Sequence, residues 1–307
     1  MKKYQQILVM GAGAVGGYFG GRLAKGGSAE VTLVARGAHL KAIQKNGLQL
    51  KSIEGNATVK VKAFEDSAKA PDPDLILFTV KSYDTQQAIE QIAPLVKSHT
   101  QVLTIQNGIE NYPRLVEAFG EERVIQGFCK VGASRPAPGI IEHKAFGAIT
   151  VGEKNGLISP RLKALQAVCK EAAIPLHITA EIDHRVWLKF AWNSVFNMMT
   201  GVAGVTVEKL FEHEETEQLC HHLFKEIREV ATMEGIKLTA KDQQQIIEPA
   251  RKLQGFATST YQDRMQGKKL EYEAFTGAIV RLADKHHIEI PHTRTLYALL
   301  KLIDIRE

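Results

Sequence analysis

Cysteine is scarce in this chain. Cys129, Cys169 and Cys220 are the only three in 307 residues, and none belongs to a CxxC pair. This pattern argues against a disulfide framework and fits buried, inert thiols in a reducing compartment. Long hydrophobic runs are missing too. None approaches the ~20 apolar residues that cross a bilayer, so no membrane partner is expected. Basic residues are not clustered: the formal charge of +5 is spread along the chain. That gives little support to nucleic-acid binding and is equally well explained by an anionic small ligand. His221-His222 beside Cys220, and His286-His287, lack HExxH or CxxC spacing, so no metal site is expected. Repeats, low-complexity segments and long linkers are also missing. The start, MKKYQQILVMGAG, passes from a short basic stretch straight into strand-like residues. It reads as carrying no signal peptide, and a cytoplasmic protein is expected.

With 44% hydrophobic and 24% charged residues, the chain has the composition of a globular protein. Its length suits one large domain or two ordinary ones. QILVM, VTLVA, LILFTV and VLTIQ are short, almost wholly apolar strands separated by helical stretches. Such strands indicate a parallel sheet covered on both faces. LQLKSIEG and ATVKVKAF alternate like a surface hairpin. RVIQGF, CKVGAS, GIIEH and AITVG, punctuated by PAPG, suggest an antiparallel extension, closed by a helix at 160–172 and the strand PLHIT. From about residue 180 only helical periodicity remains. The expected division is therefore 1–179, an α/β domain, and 180–307, an all-helical domain.

Gly11-Ala12-Gly13-Ala14-Val15-Gly16 fits GxGxxG between the first strand and the first helix. In that context Gly11 permits the turn, Gly13 admits a pyrophosphate, and Gly16 allows close helix–strand packing. The phosphates would lie at a helix N-terminus. The second strand runs into Arg36 with no carboxylate beside it, which favours NADPH over NADH; the alternative is an ordinary solvated arginine. Lys81 and Asn107-Gly108 follow two further strands. At those strand ends they either face a ligand crevice or serve as a helix-start charge and a plain turn.

The stretch WLKFAWNSVFNMMTG, from Trp187 to Gly201, places Lys189, Asn193 and Asn197 four residues apart among aromatics and methionines. In an α-helix they form a stripe drifting by ~40° per step. One reading has Lys189 reaching for water and the asparagines capping loops. The other makes the stripe a polar wall of a ligand cleft, with Lys189 as an acid. Ser259, Asp263, Glu271 and Glu273 either meet the stripe from a later helix or form a solvated face.

Taken together, GAGAVG, VK at 80–81, QNG at 106–108, WxKFxxNxxxN at 187–197, and SxxxD at 259–263 followed by Glu271 resemble the ketopantoate reductase (2-dehydropantoate 2-reductase) family. The resemblance spans essentially the whole chain. It implies a Rossmann-type doubly wound domain followed by an all-helical one, in a 6-phosphogluconate-dehydrogenase-like build. It also implies NADPH-dependent reduction of ketopantoate to D-pantoate on the route to pantothenate and coenzyme A. Lys189 matches the family's catalytic proton donor. Asn107, Asn193, Asn197, Ser259 and Glu271 match substrate-binding positions. Gly11 to Gly16, Arg36, Lys81, Asn107 and Glu271 match cofactor contacts, with Ala133 near a further backbone contact. The chain departs from the family at Met198 (usually Pro), Val207 (Asn in some members), Tyr261 (usually Met) and LEYE at 270–273 (usually TEID), all attributed to the substrate side. Two other readings remain: a reductase of another branched 2-oxo acid, and an NADPH-binding sensor without catalysis. The sequence leaves the oligomeric state open. A homodimer through the helical half and an internal helical core are equally compatible with it.

Overall fold

The computed structural model describes residues 4–304. The basic start at 1–3 and the last positions of the helical half, 305–307, lie outside the described residues. The chain divides into two compact units. The first comprises Met1–Asn107 with Asn111–Ile182, and the second Gly108–Glu110 with Asp183–Glu307.

In the first unit the elements run β1 (Gln6–Met10), α1 (Ala14–Gly26), β2 (Glu30–Val34), α2 (Gly37–Asn46), β3 (Leu48–Ser52), β4 (Ala57–Val59), β5 (Lys62–Phe64) and β6 (Leu75–Phe78). They continue with α3 (Thr85–Ile92), β7 (Gln101–Thr104), α4 (Asn111–Phe119), β8 (Val124–Ala137), β9 (Ile140–Gly152), α5 (Pro160–Glu171) and β10 (Leu176–Ile178). Six strands pair in parallel in the order β5-β2-β1-β6-β7-β8. Counting only these six, the order is third, second, first, fourth, fifth, sixth, the topology of a dinucleotide-binding sheet. Their apolar character follows from double coverage. Ile7 and Val9 of β1 point into one buried cluster with α1 residues, while Leu8 and Met10 point into the opposite one with α3 and α4.

Two expectations change. The four short β segments after residue 123 merge into two long strands, β8 and β9, which pair antiparallel through three register shifts and turn between Ala137 and Ile140. ATVKVKAF is not one hairpin arm. Val59 pairs with β3, whereas Lys62–Phe64 crosses to the other end of the sheet and lies parallel to β2. There Ala63 is buried, and its carbonyl accepts a hydrogen bond from the Gln44 amide of α2 at 2.9 Å. Alternation alone predicts a strand but does not name its partner.

The second unit is built of α6 (Ile182–Trp192), a π-helical turn at Asn193–Asn197, α7 (Met198–Ala203), α8 (Glu214–Met233), α9 (Ala240–Arg251), α10 (Ser259–Met265), α11 (Thr276–His286) and α12 (Pro291–Ile303). Among the described residues no strand follows Ile178. Its largely aliphatic core includes four fully buried phenylalanines, Phe190, Phe196, Phe224 and Phe275. The start of α12 is held by the buried Glu226 carboxylate, which accepts from the backbone N–H groups of His292 (2.9 Å) and Thr293 (2.8 Å). Such an acceptor satisfies donors that a helix start leaves open. Among the described residues no helix is long and apolar enough to cross a membrane.

Candidate active site

The reversal point of the parallel sheet lies between β1 and β6, where the glycine motif begins. Gly11 has φ +96°, a conformation that disfavours side chains, and a Cβ there would stand 2.8 Å from Val80 Cγ1. A Cβ at Gly16 would run into the Gly11 carbonyl oxygen and Thr79 Oγ1. Thr79 Oγ1 itself donates to the carbonyls of Met10 (3.1 Å) and Gly11 (2.9 Å), tying the end of β6 to the motif. At Gly13 an added Cβ would meet nothing within 4 Å. Gly13 is the extended N-cap of α1, and no side chain caps that helix start. Ala14 and Val15 open α1 and are half-buried. The motif therefore combines a packed base with an open mouth at a helix N-terminus, which fits a dinucleotide pyrophosphate.

Arg36 is exposed at the N-cap of α2, and its guanidinium donates to Gln87 Oε1 at 3.4 Å. Three residues on, His39 is buried and joins two segments. Its Nδ1 accepts the Gly139 N–H at 2.8 Å, so Nε2 carries the proton and donates to the Ala12 carbonyl, also at 2.8 Å. Burial first, and the Arg135 charge second, push its pKa below the ordinary histidine value, against the opposing Ala12 bond. His39 is a buried tie that the sequence does not reveal, since a lone histidine early in a helix carries no motif.

Lys81 follows β6 in extended backbone and precedes a short turn at Ser82–Asp84. Asn107 closes the first segment of the first unit and is half-buried. Its carbonyl accepts from Asn111 Nδ2 at 2.7 Å, and Asn111 Oδ1 accepts from Thr85 Oγ1 at 2.9 Å. Gln106 Nε2 donates to the Val80 carbonyl (2.9 Å) and to Thr85 Oγ1 (3.0 Å). This amide network fixes the loops after β6 and β7 to one another, a service invisible in the QNG motif itself. Ala133 lies within β8, opposite His143.

In the second unit the stripe spans two helix types. Lys189 occupies the last turn of α6, while Asn193 and Asn197 begin and end the π turn. A π turn holds more than four residues, so a step of four falls short of a full turn instead of overshooting it. The drift expected for a pure α-helix is thereby offset between 193 and 197. Thr200 Oγ1 donates to the Phe196 carbonyl at 2.7 Å and lies 3.2 Å from that of Asn197, occupying carbonyls where π returns to α. Edge-on aromatic pairs, Trp187–Phe190 and Trp192–Phe196, pack beside the stripe.

Asn193 and Asn197 are buried, at 7% and 3% exposure. Asn197 Nδ2 donates to Ser259 Oγ at 3.2 Å, while its buried Oδ1 has no hydrogen-bond partner among the described residues. Ser259 is exposed at the start of α10. α10 is drawn against α7 by Thr200–Thr258 (2.7 Å) and by Arg264, whose guanidinium donates to the Gly201 carbonyl at 2.6 Å. Glu271 is half-buried at the N-cap of a short turn, Tyr272–Ala274. Glu273 goes elsewhere: Arg281 (2.9 Å) and the Tyr297 hydroxyl (2.7 Å) hold it in a surface cluster. Asp263 is half-buried in α10, where its carbonyl accepts from Lys268 N–H at 2.8 Å. Of the four departures, Met198 and Val207 are fully buried in the apolar core, and Leu270 of LEYE is nearly so. They fill core volume.

A dinucleotide-type sheet with an open glycine mouth, followed by a helical unit carrying a Lys–Asn–Asn stripe, is the build of a two-part oxidoreductase. Residues 7–156 match the family described as ketopantoate reductase PanE/ApbA, and residues 181–304 match its C-terminal counterpart. A 2-dehydropantoate 2-reductase of Halobacterium salinarum is 30% identical over 298 residues, covering 97% of this chain and 98% of the relative. The crystal structure of a PanE/ApbA family ketopantoate reductase from Ralstonia eutropha JMP134 superimposes with a TM-score of 0.91 at 32% identity, covering 98% of both chains. A D-mandelate dehydrogenase in ternary complex with NADH and anilino(oxo)acetate shares the fold alone, with a TM-score of 0.88 at 23% identity, over 98% of both chains. The chain belongs to the ketopantoate reductase PanE/ApbA family.

Proposed function

We propose that this protein reduces 2-dehydropantoate (ketopantoate) to D-pantoate with NADPH, as a cytoplasmic step toward pantothenate and coenzyme A. The observation that carries the reading is the buried Asn197 amide. It holds Ser259 with its nitrogen, and its buried oxygen has no hydrogen-bond partner among the described residues, in a chain whose two halves both match the family. A buried acceptor without a partner is costly, and a substrate hydroxyl would satisfy it. The family name shared by the relatives supports the same substrate.

Bound nicotinamide dinucleotide supplies the hydride; everything else falls to the chain. The Gly11–Gly16 segment would hold the pyrophosphate, with the unobstructed Gly13 as its point of approach. By the family resemblance, Arg36 would hold the 2′-phosphate, and Lys81, Asn107, the Ala133 backbone and Glu271 would hold the rest of the dinucleotide. Asn107, Asn193, Asn197, Ser259 and Glu271 orient the substrate's carboxylate and hydroxyl by directional hydrogen bonds. Lys189 gives its proton to the ketone oxygen as negative charge develops there, and its own charge stabilises that oxygen before transfer.

The test is NADPH oxidation by the purified protein with and without ketopantoate, repeated with NADH. We expect ketopantoate-dependent oxidation, faster with NADPH. No dependence on ketopantoate would overturn the reading. A second reading, reduction of another branched 2-oxo acid, rests on Tyr261 and Tyr272, two half-buried tyrosines where the family has other residues. Turnover of ketopantoate against a panel of small 2-oxo acids separates the two.

A further inference from the structure

A cleft of about 270 Å³ opens in the first unit, lined by Arg36, Ala38, His39 and the hairpin tip from Arg135 to Pro138. No carboxylate lines it. Arg135 is exposed and makes no ion pair or hydrogen bond among the described residues, and Arg36 reaches only the Gln87 amide. The first turn of α2 also lines the cleft, holds no acidic residue, and has no capping bond from its N-cap side chain. Two arginines and a helix N-terminus thus line one hollow, an anion-seeking set.

The hollow is also held in shape. His39 accepts from Gly139 and donates to Ala12, fastening the hairpin tip to the glycine motif and to α2 at once. The Gly139 carbonyl accepts from Gln49 N–H at 2.9 Å, a second fastening. Pro136 and Pro138 restrict the backbone on either side of Ala137. His39 is neutral in this arrangement, so the positive charge belongs to the two arginines.

We propose that Arg135 is a second specificity-determining residue for the cofactor, clamping the 2′-phosphate of NADPH opposite Arg36. The ligand class is a phosphate monoester dianion on a ribose, which two guanidiniums neutralise better than one. The proposal rests on the NADPH reading above and adds a residue from a distant segment of sequence, 99 positions after Arg36.

The test compares Arg135→Gln, Arg135→Lys and Arg36→Gln by fluorescence titration with NADPH and NADH, and by competition with 2′,5′-ADP and 5′-AMP, without turnover. Loss of one charge-assisted hydrogen bond should weaken NADPH and 2′,5′-ADP about 10–100-fold in Arg135→Gln. NADH and 5′-AMP should change less than about threefold, a surface-level effect. Arg135→Lys should fall between Arg135→Gln and the unmutated protein. If Arg36→Gln discriminates against NADPH while Arg135→Gln does not, the proposal falls and the NADPH reading stands. If neither discriminates, both fall. Equal weakening of NADPH and NADH in Arg135→Gln would make the residue structural and also overturn the proposal.

Discussion

Asn197 donates to Ser259 across 3.2 Å and keeps a buried oxygen with no partner among the described residues, so one side chain both braces α10 and withholds an acceptor. An unsatisfied buried acceptor costs about 1–3 kcal/mol. Asn197→Leu, which keeps the number and branching of the side-chain heavy atoms, should therefore leave the melting temperature unchanged or higher. It should also lower kcat/KM for ketopantoate about 10–100-fold, the size of one lost substrate hydrogen bond. A lower melting temperature with KM unchanged would make Asn197 a purely structural amide.

Lys189 should separate binding from chemistry. Lys189→Ala is expected to lower kcat about 10²–10⁴-fold, the range of a general-acid effect, with NADPH affinity within a few-fold. A loss below tenfold would remove Lys189 from the proton-donor role.

The glycine motif makes two opposite predictions. A side chain at residue 16 meets backbone oxygen, which cannot yield, so Gly16→Ala should destabilise by about 1–3 kcal/mol, as overpacking does. A side chain at residue 13 meets no protein atom. Gly13→Ala should melt near the unmutated temperature yet bind NADPH and NADH poorly and to a similar degree. Thermal melts beside titrations distinguish the two, and intact binding in Gly13→Ala would refute the cradle.

His39 sets a pH limit. Its folded pKa is depressed, so the unfolded chain takes up the proton first as pH falls below the ordinary value of 6.5. Stability contributed by His39 is complete above that value and is lost as pH falls through the folded pKa. Melting temperatures measured from pH 7.5 down to 5 should therefore drop more steeply for the native chain than for His39→Gln, which can still donate to Ala12. Parallel curves would show that His39 carries no such linkage.

Much of the fold was legible because burial on two faces writes itself as continuous apolar strands, as in Leu75–Phe78, and burial on one helix face writes a 3.6-residue period. The crossing of Lys62–Phe64 to β2 was not, since a three-residue strand with one buried residue carries no partner signal. The four-residue spacing of Lys189, Asn193 and Asn197 suggests a stripe, but spacing cannot distinguish an α from a π turn. Among the late acidic residues, pattern alone could not sort Glu271 from Glu273. The Arg281 and Tyr297 contacts of Glu273 emerge only from the fold. His39 escaped because its two bonds reach Ala12 and the Gly139 turn, and Arg135 because its place beside Arg36 in one cleft depends on a segment 99 positions away.

Residues 108–110 belong to the second unit although the first surrounds them in sequence. Ile109 packs against the helical core, Glu110 pairs with Arg281, and Gly108 lies where a Cβ would sit 3.0 Å from the Ala274 carbonyl. Asn107 and Asn111, joined by their own hydrogen bond, close the base of this three-residue excursion. No single cut can separate the halves cleanly. A fragment starting at residue 183 would lack a piece of its own interior, and a chimera grafting a foreign helical half would have to carry the 108–110 tripeptide along with it.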